Sequence, residues 1–586
     1  MTTTSLQGVP QFGRRFFGAD DTFTRIGTGA LGGKAEGLLR VHRDILPALD
    51  AGEFPGIEVA VPTLTVLATD CFEAFMRLND LDPLAFSEEP DGRIAHAFQR
   101  AELPPEILGD LRALIARVHT PLAVRSSSRL EDALDHPFAG VYGTKMIPNN
   151  AVDTDTRFSR MVEAVKFVYA STFFQKARRY LTSIGQDPRA ETMAVILQEV
   201  VGIRTGDRFF PDISGVARSY SHYPAPGSRP EEGVVNLALG LGKTIVDGGV
   251  SWVFTPTRPA APPPFNGFGD MLKKTQNRFW AIHMGQPPLP DPIRETEYLV
   301  ECGLDRAEAD EALAFVASTY DPSSDRLRPG IAASGPRVLD FAPLLTTGVV
   351  PLTPVVLRLL EISERHLGAP VEIEFALTLD RRRGLPARLG FLQVRPMRAA
   401  EGRVAVTQED LGRKDVLLAS ESVLGNGHLE SIRDVVFVKP DAFEARHTRR
   451  CAHDLEGLNR ALAAAGRPYI LIGFGRWGSS DPWLGIPVDW SQIHQARVIV
   501  EATLPGMNPD PSQGSHFFHN LISFRTLYLS VRHGGEYTID WAWLDSQETA
   551  AETEFVKHVR TRWPLTVKVD SQSGRGVVRH EEQEVR

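Results

Sequence analysis

The sequence predicts a mixed α/β (α+β) fold of more than one domain, and three observations carry that prediction. Short apolar runs of strand length, at 121–125 and 193–201, are interleaved with stretches of helical periodicity at 34–48, 155–184 and 351–366. Two further segments, 371–375 and 391–395, alternate polar and apolar residues one by one, the pattern of half-buried strands. At 586 residues the chain is too long for one hydrophobic core, so two to four domains are expected.

The elements follow in chain order. Residues 1–19 read as an irregular leader, and 34–48 as a helix. Residues 57–67 read as a strand pair, or as one extended segment broken at Pro62, and 68–78 as a helix. The strand at 121–125 ends in Arg125 and leads into a polar loop, 126–145. Helices at 155–184 precede 193–201, whose unbroken apolar run is that of a buried strand. Pro and Gly recur through 255–270 and 286–293, which places a surface insertion near 255–330. Residues 294–318, rich in Glu and Ala, read as helical, as do 351–366, and strands follow at 371–379 and 389–396. A boundary is expected near 400–405, then a separate α/β domain over 401–570 and a polar tail over 571–586.

Composition narrows the function classes. A net charge of −9 and a pI near 6 argue against nucleic acid or a membrane surface as the partner. The three cysteines, Cys71, Cys302 and Cys451, form no CxxC pair, which suits a reducing cytoplasm. No apolar run approaches the roughly 18 residues of a membrane span. Arg14-Arg15 is followed by Gly18-Ala19-Asp20-Asp21 and not by an apolar stretch, so no export signal is expected.

Three motifs can carry chemistry. In Ile26-Gly27-Thr28-Gly29-Ala30-Leu31-Gly32-Gly33-Lys34, glycines allow backbone N–H groups to approach phosphate and Lys34 supplies a cation. A Walker A loop is excluded, because Thr28 and Ala35 stand where it needs Gly and Ser or Thr. A glycine-rich helix start with a surface lysine is the plainer reading. In Val124-Arg125-Ser126-Ser127-Ser128, followed by Glu131-Asp132 and Phe138-Ala139-Gly140, an arginine at a strand end before a hydroxyl-rich loop suits a phosphate clamp. A solvated turn with an Arg–Glu pair is the alternative. Third, the alternation at 371–375 puts Glu372 and Glu374 on one strand face, and Gln393 and Arg395 share a face in the next strand. In an antiparallel hairpin, one register sets Glu374 opposite Gln393 and Glu372 opposite Arg395. Two carboxylates and an amide oxygen suit Mg²⁺ shared with phosphates, with Arg395 neutralising phosphate beside it. An exposed, salt-bridged hairpin is the alternative.

Together these segments resemble the nucleotide-binding domain of the phosphoenolpyruvate synthase and pyruvate phosphate dikinase family. Leu31-Gly-Gly-Lys34 is similar to that family's LGGK start, 57–75 to its GxPVPPGFxxTxxAF segment, and 124–140 to its VRSSxxxEDxxxxxFAG run. Asn236-Leu-Ala-Leu-Gly-Leu-Gly242 is similar to its WGLGExVVxG turn, and Ile373-Glu374-Phe375 with Leu392-Gln-Val-Arg-Pro396 to its closing pair. The resemblance covers residues 20–400 and implies a two-lobed ATP-grasp unit binding ATP and Mg²⁺. It implies phosphate contacts from Gly32, Gly33, Lys34 and Arg125, and Arg395 at the transferring end. It implies metal ligation by Glu374 and Gln393 with Glu372 beside them, and a lobe hinge at 193–201 with Gln198, Glu199 and Val200 near the adenine.

The family's pyruvate-binding barrel does not fit the roughly 180 residues after 405. In 401–570 the order of a strand, Asp481-Pro482-Trp483, a second strand and Gln513-Gly-Ser-His516 resembles a degenerate swivelling phosphohistidine domain, with His516 as acceptor. A structural or substrate-binding role for His516 is the alternative. Six of the eight tryptophans lie in this last third, as core or as a stacking surface for a ring substrate. The expected activity is Mg-ATP-dependent phosphoryl transfer to an unidentified small molecule or glycan, directly or through a phosphohistidine. A catalytically silent ATP-binding module serving a partner protein is the rival.

Overall fold

Strands with unbroken apolar runs sit at sheet centres here, because both of their faces are covered. The structure is a computed structural model that describes residues 9–14, 22–50, 52–132, 140–222, 224, 227–261, 265, 267–379, 386–397, 404–479, 481, 483–505, 521, 524–571 and 573–580. The chain divides into two compact units, one of Met1–Tyr220 with Ala225–Met397 and one of Arg398–Arg586 with Ser221–Pro224.

The first unit is mixed α/β. Its first sheet has five strands, in the order Phe23–Ile26, Leu64–Leu67, Met193–Glu199, Leu122–Ser128, Thr144–Ile147. The central Met193–Glu199 is buried from Met193 to Gln198, as its apolar run requires. The helix Thr154–Ser171 covers this sheet, starting where the Asp153 side chain accepts the Thr156 N–H. The second sheet has six strands, in the order Trp252–Phe254, Val234–Ala238, Ile213–Arg218, Val371–Thr378, Ala387–Pro396, Ile57–Ala60. The helix Leu352–Leu367 packs its apolar stripe, including Val355, Val356 and Leu359, against this sheet. One continuous core joins both sheets, from Val66 and Ile196 to Ile373, Phe375 and Phe391.

One open reading is decided and three expectations change. Ile57–Ala60 and Leu64–Leu67 do not pair with each other: Pro62 separates them, and they enter different sheets, so this short stretch links the two. Ser126 to Ser128 are not loop but continue the strand, all three buried and paired with Val195, Ala194 and Met193. Residues 294–318 are not one helix. Leu299–Gly303 is a strand paired with Arg278–His283, and only Leu304–Ala309 is helical, so sheet pairing overrides the Glu- and Ala-rich composition. The expected surface insertion near 255–330 holds strands of two further sheets and lends Phe279, Ala281, Leu313 and Val316 to the core.

The second unit is also α/β. Its nine-stranded mixed sheet holds four central parallel strands, Asn426–Val438, Tyr469–Phe474, Ala496–Ala502 and Leu527–Val531, with the helix Thr448–Ala464 crossing between the first two. Trp477 and Trp490 are core here, whereas Trp483 is 76% exposed. His516 lies outside the described residues. Among the described residues no helix is long and apolar enough to cross a membrane.

Candidate active site

The glycine run has a steric reason close at hand. Gly32 has φ 78°, and a Cβ there would stand 1.8 Å from the Ser127 carbonyl oxygen; at Gly33 it would stand 1.8 Å from that of Glu131. The glycines thus let the start of the helix Gly33–Arg40 lie against the strand Leu122–Ser128 and the turn after it. The upstream part of the loop already holds an anion. Asp70 Oδ2 accepts the Thr28 backbone N–H at 2.7 Å and the Thr28 hydroxyl at 2.9 Å. Desolvation works against that carboxylate, but these bonds outweigh it and keep its pKa low.

This packing delivers Lys34 to a defined place. Its Nζ donates to Glu131 Oε1 at 2.6 Å and to Ser126 Oγ at 3.3 Å. Glu131 is buried and also accepts the Ser126 hydroxyl at 2.9 Å and the Ser128 N–H at 2.8 Å. Lys34 is therefore seated on a fully hydrogen-bonded carboxylate.

Arg125 reaches from the five-stranded sheet to the six-stranded one. Its Nη1 donates to Gln198 Oε1 at 3.0 Å and to the Leu392 carbonyl at 2.9 Å, and its Nη2 to Gln393 Oε1 at 2.6 Å. Leu392 is free to accept because the hairpin is irregular there: Glu374 pairs with Gln393 but Phe375 with Phe391, leaving Leu392 as an extra residue. The hairpin register is the expected one, with Glu372 opposite Arg395 and Glu374 opposite Gln393. Gln393 Nε2 donates to Asp132 Oδ1 at 2.7 Å. Among the described residues Asp132 Oδ2 has no hydrogen-bond partner. Burial pushes Asp132 up to about 6, with Glu131 and Glu374 adding to the rise and Arg395 and Lys34 opposing it.

Two groups of the expected site residues have partners of their own within the fold. Glu372 does not face an open metal site. It is 1% exposed, with Oε2 accepting from Arg218 Nε at 2.5 Å and Oε1 from Arg395 Nε at 2.8 Å. Two cations already beside it would repel a third. The Glu199 and Val200 N–H groups are also committed, to the Thr63 and Pro121 carbonyls at 2.9 Å each. The Glu199 carboxylate accepts from Thr120 at 2.8 Å, and Gln198 Nε2 is buried without a partner among the described residues. Any adenine contact at this edge would fall to carbonyl groups or to Gln198.

Sequence reasoning missed Arg218 and Asn236. Arg218 ends the buried strand Ile213–Arg218, and period-two alternation from Ser214 and Val216 was the one signal for its face. It also missed the buried ion pair of Lys145 and Glu297, in which Lys145 lies over Phe167.

The donor set fits a hard divalent cation. Asp132 offers an unmatched buried oxygen, and the half-buried Glu374 acts on the same Arg395. Among the described residues no three His, Cys, Asp or Glu are grouped so as to hold a metal ion by themselves.

Two sheets meet at a lysine, two arginines and a carboxylate oxygen that is unmatched among the described residues. Residues 28–261 match the family model described as pyruvate phosphate dikinase, AMP/ATP-binding domain, so this part of the chain is similar to the ATP-binding domain of that family. The match includes Lys34, Arg125 and Gln198; the hairpin carrying Glu374, Gln393 and Arg395 lies beyond it. Among particular relatives, the chain is 26% identical over 196 residues to a rifampicin phosphotransferase of Streptomyces sviceus, covering 33% of this chain and 19% of that protein. It is 28% identical over 240 residues to a phosphoenolpyruvate synthase of Aeropyrum pernix, covering 36% of this chain and 27% of that protein. The chain therefore spans well under two thirds of either relative.

Proposed function

We propose that this chain is a Mg-ATP-dependent phosphotransferase acting on a small-molecule or glycan acceptor. The observation that carries the reading is the link from Arg125 to Gln393 and on to Asp132, whose outer carboxylate oxygen is unmatched among the described residues. Lys34 and Arg125 bind ATP phosphates, with Gly32 and Gly33 setting the place of Lys34. Glu374, Gln393 and Asp132 hold Mg²⁺, which when bound neutralises phosphate charge. Arg395 meets the charge that develops on the transferring phosphoryl group. Gln198 and the carbonyls of Glu199 and Val200 border the adenine.

Phosphoryl transfer asks little covalent chemistry of a protein; positioning and charge neutralisation supply most of the rate. Lys34 and Arg125 suit that task, because each exchanges a protein oxygen for a phosphate oxygen without unpairing a buried cation. The two relatives named above, both phosphotransferases or synthases by name, support this class of reaction.

The test is equilibrium binding of ATP to the full chain with and without Mg²⁺. Glu374→Ala should weaken Mg²⁺-dependent binding by about tenfold or more, the scale of one lost charge-assisted contact. Unchanged affinity and turnover in both Glu374→Ala and Gln393→Ala would remove the assignment.

A further inference from the structure

The polar face of the six-stranded sheet extends one strand beyond the hairpin. Arg218, Glu372 and Arg395 lie side by side on three adjacent strands, each in register with the next. All three are buried, at 3%, 1% and 8% exposure. Arg218 grips Glu372 Oε2 through Nε and donates from Nη1 to Asn236 Oδ1 at 3.2 Å. Asn236 is oriented in turn by its Nδ2 donating to Ser251 Oγ at 3.1 Å.

One arginine would already neutralise Glu372. A second leaves the row with an excess positive charge, which is costly in a low-dielectric interior unless other charge answers it. Glu374 and Asp132 supply that answer from the neighbouring row: with Glu372 they hold the Arg395 guanidinium in its charged form against the cost of burial. A carboxylate held by one arginine can still rotate and carry its partner with it. Held at both oxygens, it is a fixed seat.

We propose that Arg218 is a positioning residue for phosphoryl transfer: by gripping Glu372 from the far side, it fixes the carboxylate on which Arg395 is seated, and so sets the Arg395 guanidinium where charge develops. Glu372 is then the seat of Arg395 and not a ligand of the metal. The inference rests on the functional reading above and adds a residue to it.

The experiment uses the full chain and reads ATP turnover, KM for ATP and half-saturating Mg²⁺ separately. Arg218→Met should lower turnover by about 10–100-fold, somewhat less than loss of a donor that touches the reacting group, while both half-saturation values stay within about twofold. Arg218→Lys, which keeps the charge, should recover about tenfold of that loss. Glu372→Gln should show the same split. The double variant Arg218→Met with Glu372→Gln removes both charges, protects the fold if a single variant fails, and should lose no more turnover than Glu372→Gln alone. A many-fold rise in half-saturating Mg²⁺ for Glu372→Gln overturns the inference. So does a turnover of Arg218→Met within about twofold of the parent, or an additive loss in the double variant. An active parent with an insensitive Arg218→Met removes the inference alone, whereas a parent that consumes no ATP removes the functional reading and this inference together.

Discussion

Three carboxylates around the turn after Leu122–Ser128 have different surroundings, and the differences set their chemistry. Glu131 is satisfied by Lys34, Ser126 and Ser128. Asp132 is half satisfied, through Gln393. Glu191 is buried with one oxygen unpartnered among the described residues, and burial, aided by Glu131, pushes it up to about 7 despite a bond from Ser128 and the charge of Arg129. Its pKa in the unfolded chain is about 4.5. With the folded value raised, the stability Glu191 contributes is fully present below pH 4.5 and is lost as pH rises through about 7. Glu191→Gln cannot ionise, so the stability of the parent relative to this variant should fall by about 3 kcal/mol between pH 4.5 and pH 8. Urea unfolding at both pH values checks this, and an unchanged difference would refute it. The raised pKa was not legible in the sequence, because nothing local to Glu191 announces that Ser128 and Glu131 lie against it.

At the scale of elements, the hairpin was legible and the glycine run was legible only in part. Strict alternation gave Glu372 and Glu374 one face, and of the registers open to an antiparallel hairpin the paired strands have the one that sets them opposite Arg395 and Gln393. The irregularity at Leu392 left no mark in the alternation, yet it frees the carbonyl that Arg125 uses. At the glycine run, the helix start was readable, but its tight approach to the Ser127 carbonyl was not. Gly32→Ala should destabilise the protein by about 3 kcal/mol or more, since it combines positive φ with a backbone clash. Calorimetric melting checks this; a loss below about 1 kcal/mol, the cost of positive φ alone, would show that the helix start can move aside. The segment 294–318 failed the other way, because composition favoured helix and the pairing of Leu299–Gly303 with Arg278–His283 decided otherwise.

At the scale of the whole molecule, the family match ends at residue 261, within the first unit, and the second unit lies outside it. That unit has four parallel strands in sequential order, and the histidine that the sequence marks, His516, lies outside the described residues. If transfer passes through that histidine, ATP labelled in the β-phosphate should leave acid-labile label on the chain with release of AMP, and His516→Ala should abolish it. Label that survives the substitution, or release of ADP with no protein-bound label, would assign direct transfer to the acceptor.

By itself the sequence determined the α/β class and the strands at 121–125, 193–201, 371–379 and 389–396, marked Lys34, Arg125, Glu374, Gln393 and Arg395 as candidates, and offered the register that the hairpin has. Each of these is written locally, in apolar runs, in period-two alternation and in motifs a few residues long. Only the tertiary structure decided that Arg125 meets Gln393 across 268 positions of sequence, that Glu372 is clamped by an arginine 154 positions away, and that Lys34 sits on Glu131. Those contacts depend on how whole elements pack against one another, and a single side chain carries no periodic signal of the element that will be brought to face it.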